Sequence, residues 1–565
     1  MKTNNKRGVA LVISLLAMTL IIMLSAAIVM TAVREKTMAD IEVRSGKAMY
    51  AAEAGANAGL LALSNLINVY MLNTVNATTP SVVAANATTY ANNANGIGFL
   101  MAYVKDNGAA LLTLNGTEAV YTSPATTLDN GTEGYTIRIT QKANPSSPSA
   151  NIWDFPYFFK IQSTGANGSQ SRKTTLNGDF TVRVQKDNFA RYALFTNSQD
   201  MSGGTHVWFT GSSYFAGPLF TNGQYNFAYN PSGTFADSVK QTLLQARFYN
   251  NGSSVLMDAD ANGTRDVPVF QADFNRGVTA VTMPTSADET SMANEASGST
   301  TYSSSGIYLP VTGTTLKGGI YVYGDTAMAL SVDASDRQVI TITPASGTAK
   351  TITLDRANNQ TLVKVGSNTT TYTGLPDGQS NVGSIVFVRG NITALSGTVQ
   401  SANQMTIASR NDLVINNNIK YESYTAASGT VGTVGYVPPS AEGYNNLLGL
   451  ISWEGNARIA SSAPTNLDIH ATVMAKQGEF TVDSYDTMAV KGAVTVLGGV
   501  ITNTYGAFGT FNSSTGVMAS GYNRNFNYDT RMQSALSPPY FPTMNTFIAF
   551  TNDIADKLSW QQGGF

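Results

Sequence analysis

The stretch Lys6-Arg7-Gly8-Val9-Ala10-Leu11-Val12-Ile13 opens a run from Gly8 to Val33 whose 26 residues include no ionisable group. A helix of that length rises about 39 Å, enough to cross a hydrocarbon core of about 30 Å. Lys2, Lys6 and Arg7 precede the run and put its N-terminal side in the cytoplasm. A cleaved secretory signal would find small residues at Ser25-Ala26-Ala27, but its apolar core is about 7 to 15 residues, shorter than this one. Past Val33 the helical pattern continues, with polar Arg34, Glu35, Lys36, Asp40, Glu42 and Arg44 set against an apolar stripe through Met38, Ile41, Met49, Ala52, Ala56, Leu63, Ile67 and Tyr70. Lys36 with Asp40 and Asp40 with Arg44 lie one turn apart and support it. The expectation is one helix from Val9 to about Leu72, with 9–33 in the membrane and the rest amphipathic.

Composition narrows the remaining 493 residues of a 565-residue chain. It is 43% hydrophobic and only 12% charged, with 51 Gly, which favours turn-rich β structure over disorder. The absence of Cys excludes a disulfide framework, thiol catalysis and thiolate metal sites. With His206 and His470 as the only histidines, a multi-His metal centre is excluded too. Residues 1–190 carry 15 Lys and Arg against 11 Asp and Glu, whereas residues 191–565 carry 19 against 25. The larger part is therefore mildly acidic, and a polyanion would need a local basic groove there.

Lys6-Arg7-Gly8 before Val9 to Ile13, the long apolar helix, and then Ala48-Met49-Tyr50-Ala51-Ala52-Glu53-Ala54-Gly55 together resemble the N-terminus of PilX-type minor pilins. The resemblance implies that prepilin peptidase cuts after Gly8, that Val9 becomes the N-methylated first residue, and that the helix leaves the inner membrane to pack with other major and minor pilins in a type IV pilus. Most pilins carry Glu at the fifth mature position, where this chain has Ile13. In the family that carboxylate neutralises a neighbour's N-terminal amine, and an unpaired charge in an apolar bundle is costly. A subunit without it suits the pilus tip; the alternative is an internal, low-copy position where Ser14 or nothing substitutes.

Residues 73–98, rich in Asn, Thr and Ala, read as a loop leaving the helix. Asn-Gly pairs at 95, 107, 115, 130, 167 and 177 then mark turns, and Tyr135–Thr140, Phe155–Ser163 and Asp179–Gln185 read as strands of one small antiparallel sheet. A pilin domain without Cys must close its C-terminal loop by some other means. Further on, apolar strand centres near Val386, Ile407, Leu450, Val473 and Val494 are separated by 21, 43, 23 and 21 residues. Steps of this size, with 43 as two, are those of a β-solenoid; an irregular β-sandwich is the alternative. Asn416-Asn417-Asn418 suits a solenoid corner, and Pro538, Pro539 and Pro542 followed by a helix-like Asn545–Trp560 suit an end cap.

The expected fold is thus α+β: a leader at 1–8, a pilin helix at 9–72, a pilin-like β domain at 73–189, and a β-solenoid-like domain with its cap at 190–565. A minor pilin with a large solenoid resembles ComZ-type competence pilins, in which the solenoid is inserted into the pilin sheet. That resemblance implies a tip receptor that binds extracellular DNA for natural transformation. Whether the last strands here return to the sheet is open in the sequence.

The sharpest local motif is Asp258-Ala259-Asp260-Ala261-Asn262-Gly263-Thr264-Arg265-Asp266. Asp258, Asp260, Asn262, Thr264 and Asp266 fall at positions 1, 3, 5, 7 and 9 of a Ca²⁺ loop with Gly at 6. Position 12 is Val269 rather than Glu, so another acid such as Asp273 would have to complete the shell; the plain alternative is a solvated Asx-rich turn. Tyr302, Tyr308, Tyr321 and Tyr323 near Lys317, and Tyr421 and Tyr424 near Lys420, are the nearest approach to stacking platforms for nucleic acid, although most such groupings are ordinary strand packing. No catalytic group is identified, and a solenoid lyase or hydrolase lacks the clustered acids and bases it would need. The expected role is a DNA receptor, which the ComZ-like architecture favours; the alternative is an adhesin for surfaces or glycans, which the acidic charge of the larger part favours.

Overall fold

The computed structural model describes the chain except for residues 1–4, 92–96, 105–111, 116, 130, 150–151, 212, 251–252, 432, 434, 535, 552–558 and 563–565. The protein is α+β and divides into two units, Met1–Lys186 with Thr546–Phe565, and Asp187–Asn545.

In the first unit the helix Asn5–Asn65 continues through a π-helical stretch, Leu66–Leu72, and on through Asn73–Ala77. Every residue from Gly8 to Arg44 is exposed, and burial begins at Ala48. Small side chains explain the change. Ala48, Ala51, Ala52 and Ala56 are fully buried, and a Cβ on Gly165 would lie 2.2 Å from the Ala48 carbonyl oxygen and 2.3 Å from the Ala52 nitrogen. On the helix side, a Cβ on Gly59 would meet Ile161 at 2.6 Å. Helix and sheet therefore touch backbone to backbone.

The sheet runs in the order Leu112–Asn115, Glu118–Thr122, Gly131–Gln141, Ile152–Asn167, Gln170–Asn188, Thr543–Thr551. Its long neighbours are antiparallel, with Ile137 opposite Ile161 and Ile161 opposite Leu176. Strict alternation along Ile152–Asn167 turns Phe155, Tyr157, Phe159 and Ile161 inward onto Leu63, Ile67 and Met71 of the helix. Asn167-Gly168 makes the tight turn of the central hairpin, with Gly168 at φ +59°. Asn177-Gly178, read as a turn, sits mid-strand opposite Lys160 and Phe159. The Asn-Gly pairs at 95 and 107 and parts of those at 115 and 130 lie outside the described residues.

Two readings of this unit are corrected. Residues 73–98 are largely helical, through Asn73–Ala77, Pro80–Ala91 and the start of Ile97–Val104. Asn and Thr are weak helix formers, but Val75, Val83 and Ala87 recur at helical spacing and are fully buried, and that packing outweighs propensity. The helix-like reading of 545–560 gives way, among the described residues, to strands: Thr543–Thr551 lies beside Gln170–Asn188, and Ser559–Gln562 pairs antiparallel with Thr174–Asn177, while 552–558 lie outside the described residues. Ala549 N–H donates to Asn76 Oδ1 at 2.9 Å, and Thr551 Oγ1 to the Thr181 carbonyl at 3.1 Å. The returning strand thus closes the small unit without a disulfide, and the 187–545 unit is an insertion in it.

Parallel pairing organises the second unit. One ladder joins Ile320, Val386, Ile407, Leu450, Val473, Val500, Leu194, Leu219, Val239 and Phe274. Another joins Ile419, Ile469, Val496, Phe526, Phe215, Phe235 and Phe270, with Phe215 and Phe235 stacked at 5.6 Å and Phe235 and Phe270 at 5.3 Å. The apolar centres read from the sequence stack as far as Val473. Val494 does not follow it, because the 15-residue strand Val490–Thr504 serves two ladders: Val494 pairs Leu467 and Val500 pairs Val473.

Spatial order departs from chain order. The chain starts the stack at Leu194–Ser198, steps outward to Phe274–Asn275, crosses through residues 276–305 and the helix Ser286–Ser297, and resumes at the far end with Ile320–Tyr323. It then returns coil by coil until Val490–Thr504 pairs Leu194–Ser198. Both ends of the insertion therefore meet, and Phe189 N–H reaches the Pro542 carbonyl at 3.5 Å.

A side-chain ladder at one corner ties successive coils. Asn391 N–H donates to Asp325 Oδ1 at 2.8 Å, Asp412 N–H to Asn391 Oδ1 at 3.1 Å, Asn456 N–H to Asp412 Oδ1 at 2.8 Å, Glu479 N–H to Asn456 Oδ1 at 2.8 Å, and Ser202 N–H to Glu479 Oε1 at 2.6 Å. Each link satisfies a corner N–H that has no strand partner. Asn416–Asn418, expected to form such a stack, lie within the strand Leu413–Tyr421, where Asn418 Oδ1 accepts from Asp468 N–H. An antiparallel meander, Gln338–Pro344, Lys350–Asp355, Gln360–Val365 and Asn368–Thr373, extends from the edge of Thr326–Val332 and covers it. Pro538 and Pro539 run along the flank rather than over an end: Pro539 lies against Gly383 and accepts from Thr406 Oγ1, and Pro538 lies against Gly449.

Candidate functional site

Gly8 lies on the open surface of the helix with nothing within 4 Å of where its Cβ would be, and Val9 and Ile13 are 58% and 62% exposed. The Ser14 hydroxyl donates to its own helix at the Leu11 carbonyl, 2.9 Å away. The segment is one helix long and apolar enough to cross a membrane, with its apolar window wholly unburied.

The 258–266 loop spends its donors on the protein. Asp258 Oδ1 lies 3.0 Å from Arg276 Nε, and Asp260 Oδ1 lies 2.6 Å from Arg276 Nη1. Asp266 turns the other way: its Oδ1 accepts from Tyr229 N–H at 2.9 Å and its Oδ2 from Asn262 Nδ2 at 3.3 Å. Burial raises the Asp266 pKa, opposed by these hydrogen bonds. The Thr264 carbonyl accepts from Asn230 Nδ2 at 3.3 Å. Among the described residues no group of three or more Asp, Glu or His side chains is placed to hold a metal. Arg276 supplies the positive charge that Asp258 and Asp260 face, so this donor set does not fit Ca²⁺. The loop instead holds Tyr229, whose backbone takes the left-handed φ of +69°.

Tyr302 and Tyr308 stack at 3.9 Å, and Tyr302 continues to Tyr321 at 5.5 Å, while Tyr323 lies under the Arg389 guanidinium. Tyr421 is core, and Lys420 is paired with Asp468 at 2.6 Å. His470 is buried beside Tyr421 and Tyr424; its Nδ1 accepts from Tyr421 N–H at 3.1 Å, and burial pulls its pKa down to about 4. It is therefore neutral and structural.

His206 leads to a feature the sequence did not suggest. Its Nδ1 lies 2.9 Å from Asp200 Oδ1, and its ring meets Trp208 edge to face at 5.9 Å. Both line a cavity of about 300 Å³, formed where the 201–210 loop faces the Tyr485 turn and the hairpin Gly509–Phe511 with Met518–Asn527. Trp208, Tyr485 and Phe511 are half-buried in its wall, Tyr522 is buried behind them, and Arg524 lies alongside. Tyr229 packs edge to face on Phe511 at 5.6 Å, so the Asx loop buttresses the cavity's rim. The lining residues are hundreds of positions apart in the chain and meet only because the first coils stack on the last.

Residues 154–242, which run from the central strand of the sheet into the first coils, match a family described as a domain of unknown function, DUF4900. No curated protein and no solved structure matches the chain.

Proposed function

We propose that this chain is a pilin-like subunit that displays its inserted β unit outside the cell. Gly8 is its cleavage point, Val9 its methylated first residue, and the bare helix from Val9 to Val33 first its inner-membrane span and then its contact with other pilins. The observation that carries this reading is the return of Thr543–Thr551 to the sheet beside Gln170–Asn188, which makes the large unit an insertion in a small helix-and-sheet unit. A helix bare over its first half and packed on a sheet over its second fits a subunit that buries the first half among neighbours. Gly8→Ala is expected to accumulate as uncut precursor outside any pilus fraction; normal cleavage and assembly would overturn the reading. A tip position follows from Ile13, where no carboxylate stands to neutralise a neighbour's amine.

For the inserted unit, adhesion to glycans is the better-supported role. Residues 187–545 carry 18 Lys and Arg against 24 Asp and Glu, among the described residues at least eight of those cations are in ion pairs, and a DNA backbone is held by clustered free ones. The half-buried Tyr302 and Tyr308 pair, stacked on the buried Tyr321, supports DNA as a second reading, since partly open rings suit unstacked bases. Deleting the gene separates the two: lost attachment with normal DNA uptake supports adhesion, and lost uptake into a DNase-resistant state with normal pili supports the receptor. Neither reading assigns a reaction to the chain.

A further inference from the structure

We infer that the cavity between Trp208 and Arg524 is a binding site for an acidic saccharide, a pyranose unit carrying a carboxylate. The proposal rests on the glycan-adhesion reading and deepens it by naming the site and the ligand's charge.

Three observations converge on it. The cavity holds about 300 Å³, at the lower end of the size range for ligand pockets and suited to one or two sugar rings. Its wall presents the rings of Trp208, Tyr485 and Phe511, each partly open to solvent, and such flat apolar faces pack on the C–H face of a pyranose. Thr205, Thr510 and His206 add donors and acceptors for hydroxyls.

Arg524 decides the charge. Its guanidinium is held between the Tyr505 and Phe508 rings at 5.1 and 5.0 Å, so its position is fixed in advance. Its Nε is buried without a hydrogen-bond partner, and among the described residues no carboxylate pairs with it. The Arg531 guanidinium, by contrast, is matched to Asp529 and to two backbone carbonyls. A half-buried, oriented and unneutralised guanidinium beside aromatic faces is complementary to a carboxylate on a ring. One free cation suits one carboxylate per unit better than the dense charge of a nucleic acid.

The test uses the full chain in phospholipid nanodiscs, with digalacturonate and digalactose of the same linkage as probes in calorimetry and saturation-transfer NMR. Digalacturonate is expected to bind about tenfold or more tightly than digalactose, the factor for one hydrogen-bonded charge. Arg524→Gln should erase that preference while leaving weak binding of both sugars, and Trp208→Ala should lose both. Arg524→Lys keeps the charge without the planar stack and should retain part of the preference; it serves as the second probe if Arg524→Gln does not fold. Absence of binding by either sugar, an unchanged preference in both Arg524 variants, or binding of a single-stranded DNA hexamer in place of the sugars would overturn the site. Cells separate this from the broader reading. If gene deletion abolishes attachment yet the purified chain binds neither sugar, the site fails and adhesion stands. If deletion leaves attachment intact, the adhesion reading itself fails.

Discussion

The two units solve the closure problem in different ways. The small unit is closed by contacts far apart in sequence: a helix whose small residues sit on a strand a hundred positions later, and a final strand that returns across more than 350 residues. The large unit is closed by repetition, each coil resting on the next through a parallel ladder and an Asx corner. Damage should therefore spread differently. In the small unit a single misfit removes the interface on which everything packs, whereas in the stack stability is close to a sum of neighbour terms and a lesion stays local.

The sharpest way to break that contrast is Gly165→Val. Its Cβ would lie 2.2 Å from helix backbone that has no flexible end to yield. We expect a loss of about 3 kcal/mol or more, since both backbones must move. Hydrogen exchange should show protection lost throughout Ile152–Gln185 and unchanged in Leu447–Ser452 and Leu467–Ala475. Uniform loss in both units would mean that they unfold together and the contrast is false.

His470 probes the stack with pH. Burial, opposed by Asp468 and reinforced by Lys420, holds its pKa at about 4 against an ordinary 6.5. Because the unfolded chain binds the proton first, stability is full above pH 6.5, falls as pH drops toward 4, and levels below that, a total of about 3 kcal/mol. His470→Gln should flatten this part of the curve in chemical denaturation monitored from pH 7 to 4. An unaltered slope would place the acid sensitivity elsewhere.

The sequence was most legible where one physical constraint acts alone. The charge-free run announced the helix, and the 21 to 23-residue step announced the parallel strand pairing from Val386 to Val473. Legibility failed where constraints overlap. The polar composition of residues 73–98 points to a loop, although Val75, Val83 and Ala87 keep helical spacing. Val494 marks the wrong ladder because one long strand holds two apolar clusters, and the one that pairs with Val473 is at Val500. The Asx corner was within reach: Asn391, Asp412, Asn456 and Glu479 are separated by 21, 44 and 23 residues, in phase with the apolar steps. The cavity was not, because it depends on coils near residue 205 stacking on coils near residue 510, an order that no local pattern encodes. The spacing of the Asx-rich loop does not reveal Arg276 either, which arrives from outside the loop and pairs with Asp258 and Asp260.

The corner ladder gives a smaller test. Asn456→Ala leaves the Glu479 N–H without its acceptor at a buried turn, at a cost of about 1 to 2 kcal/mol. Faster exchange should be confined to Glu479 and the amides of the adjoining coils. Spread of that effect into the sheet of the small unit would contradict local closure.

The smallest effect expected runs in the opposite direction, toward stability. Glu133 is 7% exposed beneath the helix at Gly55, its Oε2 has no hydrogen-bond partner, and burial raises its pKa. The folded state therefore holds this proton more tightly than the unfolded chain, so stability declines as pH rises through and above the ordinary Glu range. Glu133→Gln keeps the shape, removes the charge, and should gain less than about 1 kcal/mol at pH 7 while matching the parent at pH 3. A gain that grows with pH would locate the weak point of the small unit at the helix–sheet contact, where its closure is concentrated. A loss at every pH would mean that the carboxylate is held by a partner that Gln cannot satisfy, and the burial argument would fall.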